Sequence, residues 1–321
     1  MAAAAAAPHV LVVPYPARGH VQALLDLASL LAARGVRLTV VTTPATAHLL
    51  APLVAEHPAL VRPLSFPSAA DHDTSGPAPV GTDIHALGAA LRAPLGDWLT
   101  KRSRNGDEDE ERVVAVISDF FCGWTQPLAA AAGVPRLVFS PSGLLATAAT
   151  HSLFRRAPRP PATGDNASGS GYAVSFPDLP GAPAFPWPQI SRMYRSCVEG
   201  AGAGGEHAEA IKDNFLWNLE SAAFVCNTCS PIEGRYLDAQ PLVDMAGKRV
   251  WAVGPVAPGP PGGDASGDDV IAWLDAFPDS SVAARAGELK ARVVEAVKEG
   301  GSSRLELDGL VQELRELAGG K

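Results

Sequence analysis

The chain has 321 residues, 47% of them hydrophobic and 19% charged, which is enough apolar surface for a large core and enough length for about two domains. Acidic residues outnumber basic ones 34 to 26, for a formal net charge of −8, and Lys and Arg form no long stripe, so nucleic acid is excluded as an expected partner. No stretch approaches the roughly 20 apolar residues of a membrane span, and the 4 cysteines, in a chain without a secretory leader, point to a reducing, cytoplasmic setting.

The N-terminus, MAAAAAAPHVLVVPYPARGH, has no basic n-region, and Pro14 and Pro16 break its apolar run. It fits a buried first strand from His9 to Pro14 better than a signal peptide. A helical stretch from Val21 to Arg34, a strand from Val36 to Thr42 and a second helix from Thr46 then set up a βαβα rhythm. That rhythm implies an α/β fold with a parallel sheet covered on both faces. The rhythm resumes with an apolar run ending at Asp119, an Ala-rich segment from Gln126 to Ala132 and a strand at Arg136-LVFS. A helix from Ala208 to Leu219 and buried-strand patterns at Ala222-AFVCNT and Lys248-RVWAVGP complete it.

The acidic run Asp107 to Glu111, the Pro/Gly/Ser segment Ala157 to Gly171 and the proline-rich Pro177 to Pro188 read as surface excursions. The sequon at Asn166 lies in the second of these and would matter only in a secreted protein. Residues 255–269 hold four Pro and read as an interdomain linker, so the first domain is expected to span 1–254. Beyond it, 270–321 offers only helices. A short one runs from Val270 to Phe277, a second carries the stripe Ala286, Leu289, Val293 and Val297, and a third carries Leu307, Leu310, Leu314 and Leu317 behind the capping pair Ser303 and Glu306. The roughly forty residues after Pro278, without a strand, cannot build a second α/β domain of ~100 residues or more.

Two residues stand out chemically. His20 follows the first strand through the turn Pro14 to Gly19, at the start of the next helix, where a helix N-terminus disfavours imidazolium and leaves the ring available as a base. Asp119 ends another strand of the same parallel sheet and so lies on the same edge, where ligands of open α/β sheets bind. A carboxylate on Nδ1 would fix the tautomer and stabilise the imidazolium formed when Nε2 takes a proton. Spacing alone leaves open that His20 merely caps a helix and Asp119 merely ends a strand.

The segments running from Val12 to Pro44 (VVPYPARGH…VVTTP), Ile117 to Gly143 (ISDFFCGW…FSPSG), Phe224 to Asp238 and Arg249 to Pro258 resemble the plant UDP-sugar-dependent glycosyltransferases that act on flavonoids and similar phenolics. The resemblance covers nearly all of residues 8–278 and rests on several motifs in the right order. It implies a GT-B-type architecture with one complete Rossmann-like N-terminal domain and a truncated C-terminal part reduced to helices. It also implies transfer of a sugar, glucose by preference, from a UDP-sugar to a hydroxyl of a small phenolic acceptor. His20 matches the family's general base and Asp119 its orienting carboxylate. Gly19 and Ser142 are the candidate substrate-binding residues, and the loops with Phe185, Trp187 and Met193 are where acceptor choice varies. No cofactor and no metal are implied, since the UDP-sugar is a co-substrate.

The family's donor signature, with its stacking Trp, His-Cys-Gly-Trp-Asn-Ser core and acid-Gln pair, does not occur in this sequence. Phe121-CGWT is only a superficial echo of it. The run Ile271 to Val282 passes directly into a segment that resembles the family's last two helices, so an internal deletion is inferred near Ser281 to Ala283. The form is therefore expected to be impaired, and the competing reading is a non-catalytic aglycone-binding or heterodimerising isoform. Cys226 and Cys229 have redox spacing without a supporting site, and Gly200 to Gly205 reads as a flexible connection. His48, His57, His72 and His85 lack metal-ligand spacing.

Overall fold

Unbroken apolar runs such as residues 10–13 offer no polar face to water, so they form strands only where both faces of a sheet are covered. The computed structural model describes residues 7–66, 80–104, 111–161, 171–199, 205–256 and 280–320. Its strands are β1 (His9–Val13), β2 (Arg37–Thr42), β3 (Val61–Ser65), β4 (Val113–Asp119), β5 (Arg136–Ser140), β6 (Ala173–Ser175), β7 (Ala184–Pro186), β8 (Ala223–Cys226) and β9 (Arg249–Ala252). Seven of them form one parallel sheet in the order β3-β2-β1-β4-β5-β8-β9, while β6 and β7 pair antiparallel as a separate hairpin. β1, β4, β5 and β8 are buried at every residue, and β3, with Pro63 and three exposed positions, lies at an edge.

The helices are α1 (Arg18–Ala32), α2 (Ala47–Glu56), α3 (Val80–Arg104), α4 (Thr125–Ala132), α5 (Leu144–Arg156), α6 (Arg192–Glu199), α7 (Gly205–Glu220), α8 (Ser230–Leu237), α9 (Ser280–Val297) and α10 (Ser302–Gly319). Because side chains alternate along a strand, Leu11 and Val13 join a core with Leu95, Trp124, Leu144 and Phe215 on one face of the sheet. Val10 and Val12 join Leu24, Leu27 and Leu31 of α1 in the core on the other face. The chain winds outward through β1, β2 and β3, then returns to lay β4 against the free side of β1 and winds outward the opposite way. The winding reverses between β1 and β4, and Val13 stands level with Ser118 there. The crevice beyond the carboxyl ends of such a strand pair is where open parallel sheets bind ligands.

α10 belongs to the same body. Its Leu307, Leu310 and Leu314, each 0% exposed, pack into the core formed by α1 and the sheet, together with Trp251 and Val253. Gly309 makes the approach possible, since an added Cβ would lie 2.8 Å from the Trp251 ring. A mid-helix glycine costs about 1 kcal/mol in propensity, and here the close packing offsets it. The last helix therefore sits on the sheet of residues 9–252, although it follows the 255–269 segment in sequence.

Two local expectations are corrected. Ser303 and Glu306 do not form a capping box, because the helix is capped at Gly301. Ser303 Oγ instead donates to the Gly254 carbonyl at 2.6 Å, and the Glu306 carboxylate accepts the Ala252 amide. The Glu306 contact and Gln240 Oε1, which accepts the Val250 amide at 2.9 Å, satisfy outward-facing donors of the edge strand β9. The stripe on α9 is not a core stripe over most of its length: Ala286 and Leu289 are exposed, and Val293 and Val297 are half-buried. The helix expected from Val270 to Phe277 and most of the 255–269 linker lie outside the described residues.

Candidate active site

The turn after β1 ends at Ala17, the N-cap of α1, so the helix starts at Arg18 rather than near Val21 and His20 lies within its first turn. Asp119 is the last residue of β4, next to β1, and is 0% exposed. The two side chains meet: Nδ1 of His20 lies 2.9 Å from Oδ2 of Asp119. The second carboxylate oxygen, Oδ1, accepts the Phe121 amide at 2.9 Å, so both acceptor atoms are engaged. The His20 side chain keeps 21% exposure, and Nε2 is the nitrogen that Asp119 leaves unengaged.

Burial pushes the Asp119 carboxyl above its ordinary range. The hydrogen bond and charge of His20, the Phe121 amide and the Arg136 guanidinium all pull it back down. Aromatic rings surround the imidazole. Phe120 and Phe121, both half-buried, stack on it at centroid distances of 5.5 and 5.0 Å, and Tyr15 meets it edge-on at 5.4 Å. Flat apolar faces beside a base suit a planar aromatic ligand.

The loop carrying these rings is fixed from beneath. The Phe120 carbonyl accepts Nδ2 of Asn214 at 2.7 Å and Nδ2 of Asn218 at 2.8 Å. Oδ1 of Asn214 accepts the Gly123 amide, and an alanine Cβ at residue 123 would fall 2.1 Å from the Asn214 carbonyl oxygen. His151 completes the brace. Its Nδ1 donates to the Thr147 carbonyl at 2.7 Å, which leaves Nε2 to accept from Asn218 at 3.1 Å. Burial lowers the His151 pKa to about 4, so the ring is neutral and the tautomer consistent.

The remaining expected residues occupy the same sheet edge with weaker ties. Gly19 directly precedes His20, and an added Cβ there meets nothing within 4 Å, so the fold itself does not demand glycine. Ser142 follows β5, is half-buried, and its amide donates to Ser140 Oγ at 3.3 Å; no hydrogen bond joins it to His20 or Asp119 among the described residues. Beside Ser142, the Glu233 carboxylate accepts the Leu144 and Leu145 amides at 2.5 and 2.9 Å and so caps α5. Sequence reasoning missed Glu233, Asn214, Asn218 and His151; only the Phe120-Phe121 pair after a strand end carried a readable signal. Trp187, expected in an acceptor loop, is 3% exposed and donates Nε1 to Glu199 at 2.9 Å, so it packs the structure. Phe185 packs edge-on against Phe176 at 5.9 Å, and Met193 is half-buried.

Cys226 and Cys229 are free and buried, and burial pushes the Cys226 thiol up to about 12, which leaves it inert as a nucleophile. Among the described residues no group of three or more His, Cys, Asp or Glu is placed to hold a metal ion, and no helix is long and apolar enough to cross a membrane.

No family profile matches the chain. Over 288 residues it is 37% identical to UDP-glycosyltransferase 89B2 of Stevia rebaudiana, covering 85% of this chain and 58% of that protein. Over 293 residues it is 37% identical to flavonol 3-O-glucosyltransferase UGT89B1 of Arabidopsis thaliana, covering 85% of this chain and 57% of that protein. The chain thus spans less than three fifths of the length of these curated relatives. Among solved structures, a UDP-glucosyltransferase from Polygonum tinctorium capable of glucosylating indoxyl, in complex with 3,4-dichloroaniline, superposes with a TM-score of 0.62 at 17% identity, over 86% of this chain and 57% of that one. Medicago truncatula UGT71G1 complexed with UDP-glucose gives 0.58 at 19% identity, over 86% and 58%. At these identities the structural likeness is one of fold.

Proposed function

The chain is a homologue of the plant UDP-glycosyltransferases, and on that footing we propose that its β1–β4 edge binds a small phenolic acceptor and deprotonates the hydroxyl that attacks a UDP-sugar, with glucose as the sugar. The observation that carries this reading is the 2.9 Å contact between His20 and a fully buried carboxylate, beneath two half-buried aromatic rings. In the reaction the acceptor hydroxyl gives its proton to Nε2 of His20. Its oxygen bonds to the anomeric carbon from the face opposite the diphosphate, and the bond from that carbon to the diphosphate oxygen breaks with its electron pair leaving on UDP. The configuration inverts. Asp119 receives the proton on Nδ1 as a charge-assisted hydrogen bond and stabilises the imidazolium. Phe120 and Phe121 would hold the aglycone, with Gly19 and Ser142 at its margin.

Departure of the diphosphate needs donors that the sequence does not supply, since the family's donor signature is missing from it. The proposed behaviour is acceptor binding with little or no turnover by the chain alone. We attribute the missing stretch to an internal deletion near residues 281–283, with 1–254 as the acceptor-binding domain. The shared coverage of under three fifths of each relative supports a second reading, an aglycone-binding module that pairs with a full-length homologue. The 4 free cysteines support a reducing, cytosolic setting.

Calorimetric titration with a flavonol and, separately, with UDP-glucose tests the reading. Flavonol is expected to bind and UDP-glucose not to, and Phe121→Ala is expected to weaken flavonol binding at least tenfold. A chain that binds neither ligand removes the acceptor-site proposal, and one that binds UDP-glucose tightly removes the proposed impairment.

A further inference from the structure

Arg136 opens β5 and is 1% exposed. A buried guanidinium is costly unless paired, and no carboxylate lies within ion-pairing distance of it among the described residues. Hydroxyls hold it instead. Nε donates to Ser118 Oγ and Thr125 Oγ1, both at 2.7 Å, one terminal nitrogen donates to Ser221 Oγ at 2.7 Å, and the other reaches the Asp119 carbonyl at 3.4 Å.

The hydroxyl protons have definite places. Thr125 donates to the Cys122 carbonyl at 2.7 Å, so in the 2.9 Å contact between Ser118 and Thr125 the proton belongs to Ser118. Ser221 has Gln126 Oε1 at 3.1 Å and the Trp217 carbonyl at 3.2 Å as acceptors. Every hydroxyl thus turns a lone pair toward the guanidinium and its proton away, an arrangement that stabilises a cation. Burial lowers the Arg136 pKa to about 9, which still leaves it charged at neutral pH.

We infer that Arg136 is a positioning residue for the proposed base: its buried, hydroxyl-held cation, which reaches the Asp119 main-chain carbonyl, adds to the His20 and Phe121 contacts that keep Asp119 ionised, and an ionised Asp119 keeps the His20 proton on Nδ1 and Nε2 free to accept. Among the described residues, few charged or hydrogen-bonding groups act on Asp119. They are His20 from α1, Arg136 from β5, and the Phe121 amide and Cys122 from its own loop. Cys122 has its pKa pushed well above the ordinary thiol range, first by burial and then by Asp119, so it stays neutral and adds no charge. Without the cation, only His20 and the Phe121 amide oppose burial, and uptake of one proton from solvent by the carboxylate becomes more favourable. That proton would go to Oδ2, because Oδ1 already accepts the Phe121 amide. Oδ2–H would then donate to Nδ1, and the imidazole would hold its own proton on Nε2, where it could no longer accept one from an acceptor hydroxyl.

The inference rests on the reading of His20 as the base, and the experiment separates the two. Ring ¹⁵N shifts of His20 report the tautomer at neutral pH in the full chain, independently of turnover. The native protein is expected to show the Nδ1–H form. Asp119→Asn, whose amide donates to Nδ1, is expected to show Nε2–H. Arg136→Met is expected to follow Asp119→Asn, with the tautomer ratio moving by on the order of tenfold or more, while Arg136→Lys restores the native form. If Arg136→Met leaves no folded protein, Arg136→Gln, whose amide can keep the hydroxyl contacts, carries the same expectation. The ¹³C shift of the Asp119 carboxyl in the unaltered chain is a further arm, expected to read ionised at pH 7. Native tautomer in a folded Met or Gln variant, or a protonated Asp119 in the native chain, overturns the role of Arg136. An Asp119→Asn variant that keeps the Nδ1–H form overturns the base itself.

Discussion

Removing α10 should unfold the rest of the chain. Leu307, Leu310 and Leu314 are 0% exposed and Val311 is 1% exposed, all facing the core built on α1 and the sheet. Full burial of a Leu or Val side chain contributes about 1.5–3 kcal/mol, so this face supplies roughly 6–12 kcal/mol as an upper figure. That equals most of the ~5–15 kcal/mol by which a typical protein is stable. A chain ending at residue 300 would also uncover Trp251 and Val253 and lose the bond from Arg112 to the Ala318 carbonyl, 2.8 Å. It should lose its near-UV circular dichroism and its cooperative urea transition. The single change Leu310→Ala is milder, costing about 2–5 kcal/mol and moving the urea midpoint down by on the order of 1 M or more. Leu289→Ala on α9, where the side chain is 39% exposed, is the control and should stay within about 0.5 kcal/mol of the native chain. If the truncated chain keeps its near-UV signal and midpoint, α10 is a passenger and the packing argument is wrong.

Three further outcomes follow from single contacts. Burial holds the pKa of His9 and of His151 at about 4, against about 6.5 unfolded. The unfolded chain therefore binds protons that the native one refuses, and stability, fully present above pH 6.5, falls as pH drops toward 4. The loss is about 3 kcal/mol per residue, partly offset by Asp119, whose raised carboxyl acts with the opposite sign; urea midpoints between pH 7 and 4 should show this, with a shallower slope in His9→Gln. Gly143→Ala would place a Cβ 2.6 Å from Glu233 Oε2 and eject the carboxylate from the α5 N-terminus, costing about 2–3 kcal/mol in a denaturation curve. Gly123→Ala forces the loop off Asn214 and so displaces Phe120 and Phe121, which should weaken flavonol binding by about tenfold or more in calorimetry.

The sheet was legible because its central strands carry unbroken apolar runs, a pattern that means the same thing wherever it occurs. The meeting of His20 with Asp119 was legible only by topology, since residues ending parallel strands share an edge. Strand order, which makes that edge a single crevice, depends on pairings across about a hundred residues that no local pattern encodes. Ser303 and Glu306 satisfy the spacing of a capping box, yet the edge strand β9 and the turn after it supplied other partners in Ala252 and Gly254. The stripes on α9 and α10 have the same period and opposite fates, since period reports only that a face exists, not what covers it. Arg136 was invisible for a related reason: a charged residue reads as surface until the hydroxyls of Ser118, Thr125 and Ser221 converge on it from three separate segments.

The groups that fix the imidazole all fall within one stretch of the chain. The rings come from residues 15, 120 and 121, the carboxylate from 119, the cation from 136 and the brace from 151, 214 and 218. None comes from beyond residue 221, so on the proposed reading the base does not need the region of the inferred deletion. General-base catalysis contributes typically 10²–10⁴-fold, about 3–5 kcal/mol, and only once an electrophile is held in line with it. On the proposed reading this chain therefore keeps the part of the chemistry that can form alone and lacks the part that makes it productive. Acceptor affinity and the state of the His20–Asp119 pair should accordingly survive in it intact, whether or not sugar is ever transferred.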